Sequence, residues 1–198
     1  MQLLNQMRRA VFLDRDGVIN RSVVIDGKPY PPANLAAMEI LPGVPQALNA
    51  LSEAGFLLIV ITNQPDVARG TTSRETVEEI NNYLASCLPI NEFCTCFHVD
   101  EDRCECRKPL PGALIKAAQV HNIDLSKSYM VGDRWRDIEA GQLAGCETVF
   151  IDYGYNEKQP TAVNFKVSSL EEGARIILGK LATYDVCNQK TAVICERS

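Results

Sequence analysis

Four short apolar runs, each stopping abruptly at polar residues, set the pattern of this chain. They are "AVFL" before "DRDG" at 10–13, "FLLIVI" before "TNQ" at 56–61, "YMVG" before "DRWRD" at 129–132, and "TVFI" before "DYG" at 148–151. Runs this short, continuous and partly β-branched read as strands covered on both faces. Between them, apolar residues recur at helical spacing over 43–55, 73–88, 111–122 and 137–145. Ser73 suits the N-cap of the second of these helices, and Gly55 and Gly145 suit the left-handed residue that follows a helix end. Alternating strands and helices predict an α/β fold, a doubly wound parallel sheet with its site at the carboxyl ends of the strands.

Two segments break the alternation. Residues 21–43 are proline-rich and read as an ordered loop or hairpin beside the site, whereas 94–108 hold four cysteines and a histidine. No stretch between strands approaches domain size, so no large cap domain is expected, and no repeat or low-complexity tract occurs. The 198 residues suit one domain over 1–198, with a tail at about 181–198 unassigned.

Composition narrows the function classes. A net charge of -5 offers no basic footprint for nucleic acid, and the longest apolar run is far too short to span a bilayer. Arg8 and Arg9 follow the first apolar stretch instead of preceding it, which is not the grammar of a signal peptide. The expectation is a cytoplasmic protein, a monomer or small homo-oligomer, acting on a small metabolite without membrane or nucleic-acid partners. Eight cysteines in a reducing compartment then point to metal binding more than to disulfides.

Asp14 and Asp16 leave the tip of the first strand, with Gly17 allowing a tight turn around a ligand. A solvated acidic turn would look the same in isolation. Asp133, at the tip of another strand that a parallel sheet brings to the same edge, changes the balance. Three converging acids suit a hard cation with oxygen ligands, magnesium above all. Thr62 and Asn63 end the strand between them, and Lys108 supplies a point charge, so the set describes phosphoryl transfer. Arg15 reads as solvated at its turn and His121 as a surface residue.

Cys96-x-His98 and Cys104-x-Cys106 give three thiolates and an imidazole, a set for closed tetrahedral zinc. Free thiols on an exposed loop are the plain alternative, and spacing alone also allows Cys94 to replace His98. Four protein donors leave no open position, so such a zinc is structural and holds a short loop that buries little apolar surface.

In order, "DRDGVIN", "ITNQ", "CRKPLPG" and "VGDRWRD" resemble the four motifs of the haloacid dehalogenase (HAD) superfamily of phosphatases, over about residues 10–157. More narrowly, the chain resembles the heptose-bisphosphate phosphatase and histidinol-phosphatase branch. The resemblance implies that Asp14 is the nucleophile that takes the phosphoryl group and Asp16 the acid and then base. It implies magnesium on the Asp14 side chain, the Asp16 backbone carbonyl and Asp133, with Thr62, the Asn63 backbone and Lys108 on the phosphoryl oxygens. Asp137 either orients Lys108 or a metal-bound water, or is a dipole-favoured acid at a helix start.

The same resemblance implies Cys96, His98, Cys104 and Cys106 as zinc ligands with Cys94 left out, and Asn20, Gln64, Arg107 and Arg134 as substrate residues. The implied activity removes the 7-phosphate of D-glycero-D-manno-heptose 1,7-bisphosphate. Histidinol phosphate is the rival substrate, and a catalytically dead scaffold that keeps the fold is the rival class. The unusual "NQPDVARG" and the long 21–43 segment depart from the family pattern around the pocket.

Overall fold

A computed structural model describes the backbone of residues 7–195 and the side chains of residues 7–183. Its strands are β1 Arg9–Leu13, β2 Val23–Ile25, β3 Lys28–Tyr30, β4 Phe56–Asn63, β5 Glu92–Cys96, β6 Tyr129–Gly132, β7 Glu147–Ile151 and β8 Phe165–Val167. Its helices are α1 Val44–Glu53, α2 Arg74–Cys87, α3 Gly112–His121, α4 Trp135–Ala144 and α5 Leu170–Cys195. Six strands form a parallel sheet in the order β5-β4-β1-β6-β7-β8.

The side-chain period of two divides each central strand between two cores. Val11 and Leu13 of β1, with Phe56, Leu58 and Val60 of β4, face the core shared with α1, α2 and α5. Ala10 and Phe12, with Leu57, Ile59 and Ile61, face the other core, where Ala113, Leu114, Ala117 and Ala118 of α3 and Ala140 of α4 pack. A continuous apolar run therefore marks a strand wet on neither face, as the sequence pattern predicts. In α4, Gly141 keeps the helix close to the sheet, since a Cβ there would lie 2.5 Å from Met130 Cβ. Among the described residues, no helix is long and apolar enough to cross a membrane.

Ser73 caps α2 by accepting from Thr76 N at 3.1 Å, and Gly55 and Gly145 both take φ of 86° after α1 and α4, as expected. Two strands escaped the sequence reading. β5 lies inside the cysteine-rich segment and β8 has three residues, yet they form the two edges of the sheet. Part of the segment assigned to no element, 181–195, continues α5.

The 21–43 segment opens with a hairpin, β2 antiparallel to β3 and Val24 opposite Pro29, and continues as a loop with one 3-10 turn at Leu35–Ala37. Asp26 and Gly27, at φ of 51° and 74°, make the two-residue turn that right-handed strand twist favours. Asn156 N donates to Gly27 O at 2.8 Å and pins the turn to the loop after β7. The chain order reverses direction at β1, whose neighbours are β4 and β6, so the crevice opens above the carboxyl ends of these three strands.

Candidate active site

β1 and β4 deliver Asp14 and Thr62 with Asn63 to one crevice, β6 brings the buried Asp133 beside Asp14, and the hairpin forms the far wall with Pro29, Tyr30 and Pro31. Asp14 N donates to Val131 O at 2.9 Å, so the chain leaves β1 still laddered to β6. The Lys108 side chain is 2% exposed, and its Nζ reaches Asp14 Oδ1 at 2.7 Å, Asp137 Oδ1 at 2.6 Å and Ile61 O at 2.6 Å. An ammonium has three protons to give, and all three are placed. Burial works against the charge of Lys108, but Asp137 and Asp14 outweigh it and raise its pKa.

The loop carrying Lys108 is fixed by Asn63, whose Oδ1 accepts from Lys108 N at 3.1 Å and whose Nδ2 donates to Lys108 O at 3.0 Å. Asp137 meets both readings made from sequence. One oxygen holds Lys108, while the other accepts from Arg134 N at 2.9 Å across the first turn of α4.

Asp133 is 1% exposed, and neither of its carboxylate oxygens has a hydrogen bond of ordinary geometry. The Tyr155 hydroxyl comes near enough to favour the ionised form, but burial and then Asp14 and Asp137 drive the pKa well up. Asp14 is raised to about 6, first by burial and then by Asp137 and Asp16 against the pull of Lys108. Oxygens of Asp14, Asp133 and Asp137 lie within 4.8 Å of one another. A buried carboxylate with no well-formed hydrogen bond, set beside two others, fits a divalent cation. Gly17, at φ 91°, makes the room, since a Cβ there would sit 1.8 Å from Asp133 Oδ2.

These raised values carry a testable consequence. Between its unfolded pKa of 3.8 and its folded value of about 6, Asp14 keeps in the folded state a proton that the unfolded chain gives up. Stability contributed by this group is therefore present at low pH and lost as pH rises through that window. The melting temperature of metal-free protein should fall between pH 4 and 6.5, less so in Asp14→Asn, and magnesium should raise it more at pH 7 than at pH 5. Calorimetry with and without magnesium checks this, and a metal effect independent of pH would contradict it.

The carboxylate of Asp16 lies outside the acid cluster. It accepts from Asn20 Nδ2 at 2.9 Å, from Gln64 Nε2 at 2.7 Å and from the Arg15 guanidinium at 3.0–3.2 Å. Asn20 and Gln64 are thus buried holders of Asp16 and do not line the crevice. Arg15, expected to be solvated, is 0% exposed.

Arg134 does line the crevice, clamped by Glu157 through Nε at 2.9 Å and Nη2 at 2.5 Å, a pairing that raises its pKa. Arg107 pairs with Asp100 at 2.6 Å outside the crevice lining, with one buried nitrogen unpartnered. Arg136 stands in the lining instead, its guanidinium 4.6 Å from the Trp135 ring. Sequence reasoning missed Arg136, Tyr155 and Asn81. The second basic residue of "DRWRD" was a usable signal for the first, whereas the other two come from distant elements.

Cys96, His98, Cys104 and Cys106 form a second cluster. Zn–S bonds of about 2.3 Å and a Zn–N bond of about 2.1 Å in a tetrahedron place sulfurs about 3.8 Å apart and about 3.6 Å from the nitrogen. The sulfurs here are 3.4–3.8 Å apart, and His98 Nδ1 is 3.4–3.5 Å from two of them. Those separations suit zinc and are far beyond a disulfide bond. Cys94 stays out, packed against the second core, where burial and Glu92 push its thiol up to about 12.

The HAD-hydrolase-like family model matches residues 105–171. Among solved structures, a D,D-heptose 1,7-bisphosphate phosphatase from B. bronchiseptica complexed with magnesium and phosphate superposes with TM-score 0.74 at 29% identity, covering 87% of this chain and 99% of that one. Fold and site together make the protein a HAD-like phosphatase. The D-glycero-beta-D-manno-heptose-1,7-bisphosphate 7-phosphatase of Haemophilus ducreyi is 33% identical over 71% of this chain and 81% of its own length, and that of Pasteurella multocida is 30% identical over 87% and 98%. The chain belongs to the heptose-1,7-bisphosphate 7-phosphatase family.

Proposed function

We propose that this protein is a magnesium-dependent phosphatase of one domain that removes the 7-phosphate of D-glycero-D-manno-heptose 1,7-bisphosphate in the cytoplasm. The observation that carries the reading is the orphaned Asp133 carboxylate beside the Asp14–Lys108 pair, at the strand tips of a chain with these relatives. An inert scaffold has no use for a buried lysine and three clustered acids.

Asp14 attacks phosphorus with its carboxylate, forming an O–P bond as the bond to the sugar oxygen breaks. Asp16 gives its proton to the departing oxygen, then takes one from the water that attacks the phosphoaspartate, releasing phosphate and restoring Asp14. Thr62 and the Asn63 backbone donate to the phosphoryl oxygens, and Lys108, its protons given to Asp14, Asp137 and Ile61 O, supplies positive charge beside them, a task of position and charge because a loose phosphoryl transition state needs little else. Asp137 keeps Lys108 aimed at Asp14. Asp14, Asp133 and the Asp16 carbonyl would hold magnesium, which would offset the repulsion between nucleophile and phosphate. Arg134 and Arg136 in the lining, with Arg107 one residue before Lys108, offer cations to the sugar bisphosphate.

Kinetics with both anomers of the heptose bisphosphate and with histidinol phosphate test the substrate. The expected result is a kcat/KM at least about 10²-fold higher for one heptose anomer, equivalent to about 3 kcal/mol of transition-state discrimination. A preference for histidinol phosphate would replace the substrate while leaving the phosphatase chemistry standing.

A further inference from the structure

The buried Arg15 spans two partners. Its Nε and Nη2 face Asp16, and its Nη1 donates to Asn81 Oδ1 at 3.0 Å. Asn81 lies on the buried side of α2 and donates in turn to Thr95 Oγ1 at 3.1 Å. Thr95 stands in β5 opposite Thr62 of β4, so the chain of bonds starts at Asp16 and ends on the strand beside the phosphate seat. A guanidinium is costly to bury unless its donors are used, and its planar fork transmits direction as well as charge.

We propose that Asn81 is a positioning residue for the reaction: by holding Arg15 Nη1 it fixes the guanidinium plane, and through it the direction in which Asp16 presents its proton to the leaving oxygen. This rests on Asp16 being the acid and base. Asn20 and Gln64 also touch the Asp16 carboxylate, but each comes from the turn or strand tip that carries the site, whereas Asn81 ties it to a packed helix. Without Asn81, the guanidinium keeps only its edge toward Asp16 and turns about its own bonds. Phosphate binding by Thr62, Asn63 and Lys108 is left intact.

A loss confined to proton donation depends on the leaving group. When a sugar phosphate reacts, the P–O bond breaks and the departing oxygen takes the Asp16 proton. A nitrophenolate departs as a stabilised anion and needs little of it. Since kcat/KM contains only steps through release of the alcohol, it isolates this event from hydrolysis of the phosphoaspartate.

In Asn81→Ala, kcat/KM for the sugar phosphate should fall about 10–100-fold and that for nitrophenyl phosphate less than about 3-fold. Asn81→Asp keeps an acceptor oxygen for Arg15 and should return the sugar phosphate to within about 3-fold of wild type. Thr95→Val, which conserves shape and removes only the far acceptor, should shift the ratio of the two substrates in the same direction and keeps the test alive should Asn81→Ala fail to fold. Equal losses on both substrates, or an Asn81→Asp as poor as Asn81→Ala on the sugar phosphate, would overturn the proposal. Wild-type protein inert toward both phosphates refutes the phosphatase reading itself, and this inference with it.

Discussion

Asp14→Asn is expected to lower magnesium-dependent phosphate release by at least about 10⁴-fold, because the nucleophile is lost and no neighbouring group can form the covalent intermediate. Lys108 cannot substitute, being a cation held by three acceptors; both oxygens of Asp137 are engaged by Lys108 and Arg134 N, and Asp133 is buried outside the crevice lining. The variant should fold, since asparagine keeps the shape and can still accept from Lys108. Removing the charge of one of three clustered acids also relieves repulsion, so the metal-free variant should melt no lower than wild type at pH 7. Strain of this kind, held for function, is often recovered as stability when the functional group is removed. Steady-state phosphate release and a thermal melt measure both, and residual activity within 100-fold of wild type would remove Asp14 from its role.

The second large effect concerns zinc. Cys106→Ser takes one donor from the Cys₃His set and should reduce bound zinc from one per chain to well below that by elemental analysis. Structural zinc contributes about 10 kcal/mol or more to folding in small metal domains, and even a third of that would lower the melting temperature by about 10 °C in a chain this size. Activity should fall too, because Cys106 stands two residues before Lys108 and the loop between them has little else to hold it. Asn63 ties down the Lys108 backbone and Gly112 N donates to Glu105 O at 3.1 Å, but His98 and Cys104 stand between these anchors and β5, and zinc would join them to Cys96 at its end and to Cys106. Cys94→Ser, two residues from a ligand and facing the second core, should leave zinc content unchanged. Equal zinc loss in the two variants would contradict the assignment of ligands.

What the sequence disclosed depended on how local each signal is. β1, β4, β6 and β7 could be read because a strand buried on both faces needs an unbroken apolar run, and their tips could be read because polar residues there have no structural excuse. β5 was hidden because "EFCTC" pairs on one side only and its cysteines suggested metal before strand. In α5 the start signal was present but passed over, with Ser169 Oγ accepting from Glu172 N at 3.2 Å. Arg15 shows the limit more sharply. Its neighbours in sequence are two acids, which suggests a solvated turn, yet the residue that makes its burial possible is Asn81, on a helix 66 positions away. Likewise Asp137 looked like either a dipole-favoured acid at a helix start or a residue orienting Lys108 or a metal-bound water, and only geometry could show one oxygen on the first turn of α4 and the other on Lys108.

The central claim is that Asp14, with magnesium and Lys108, transfers a phosphoryl group from one end of a heptose bisphosphate. Phosphorus NMR of D-glycero-D-manno-heptose 1,7-bisphosphate incubated with the enzyme and magnesium tests it most directly. The predicted result is loss of the 7-phosphate resonance with growth of inorganic phosphate, the 1-phosphate resonance persisting, and no change in Asp14→Asn or with magnesium chelated. An unchanged spectrum with wild-type enzyme, or phosphate released from the 1-position, would contradict it.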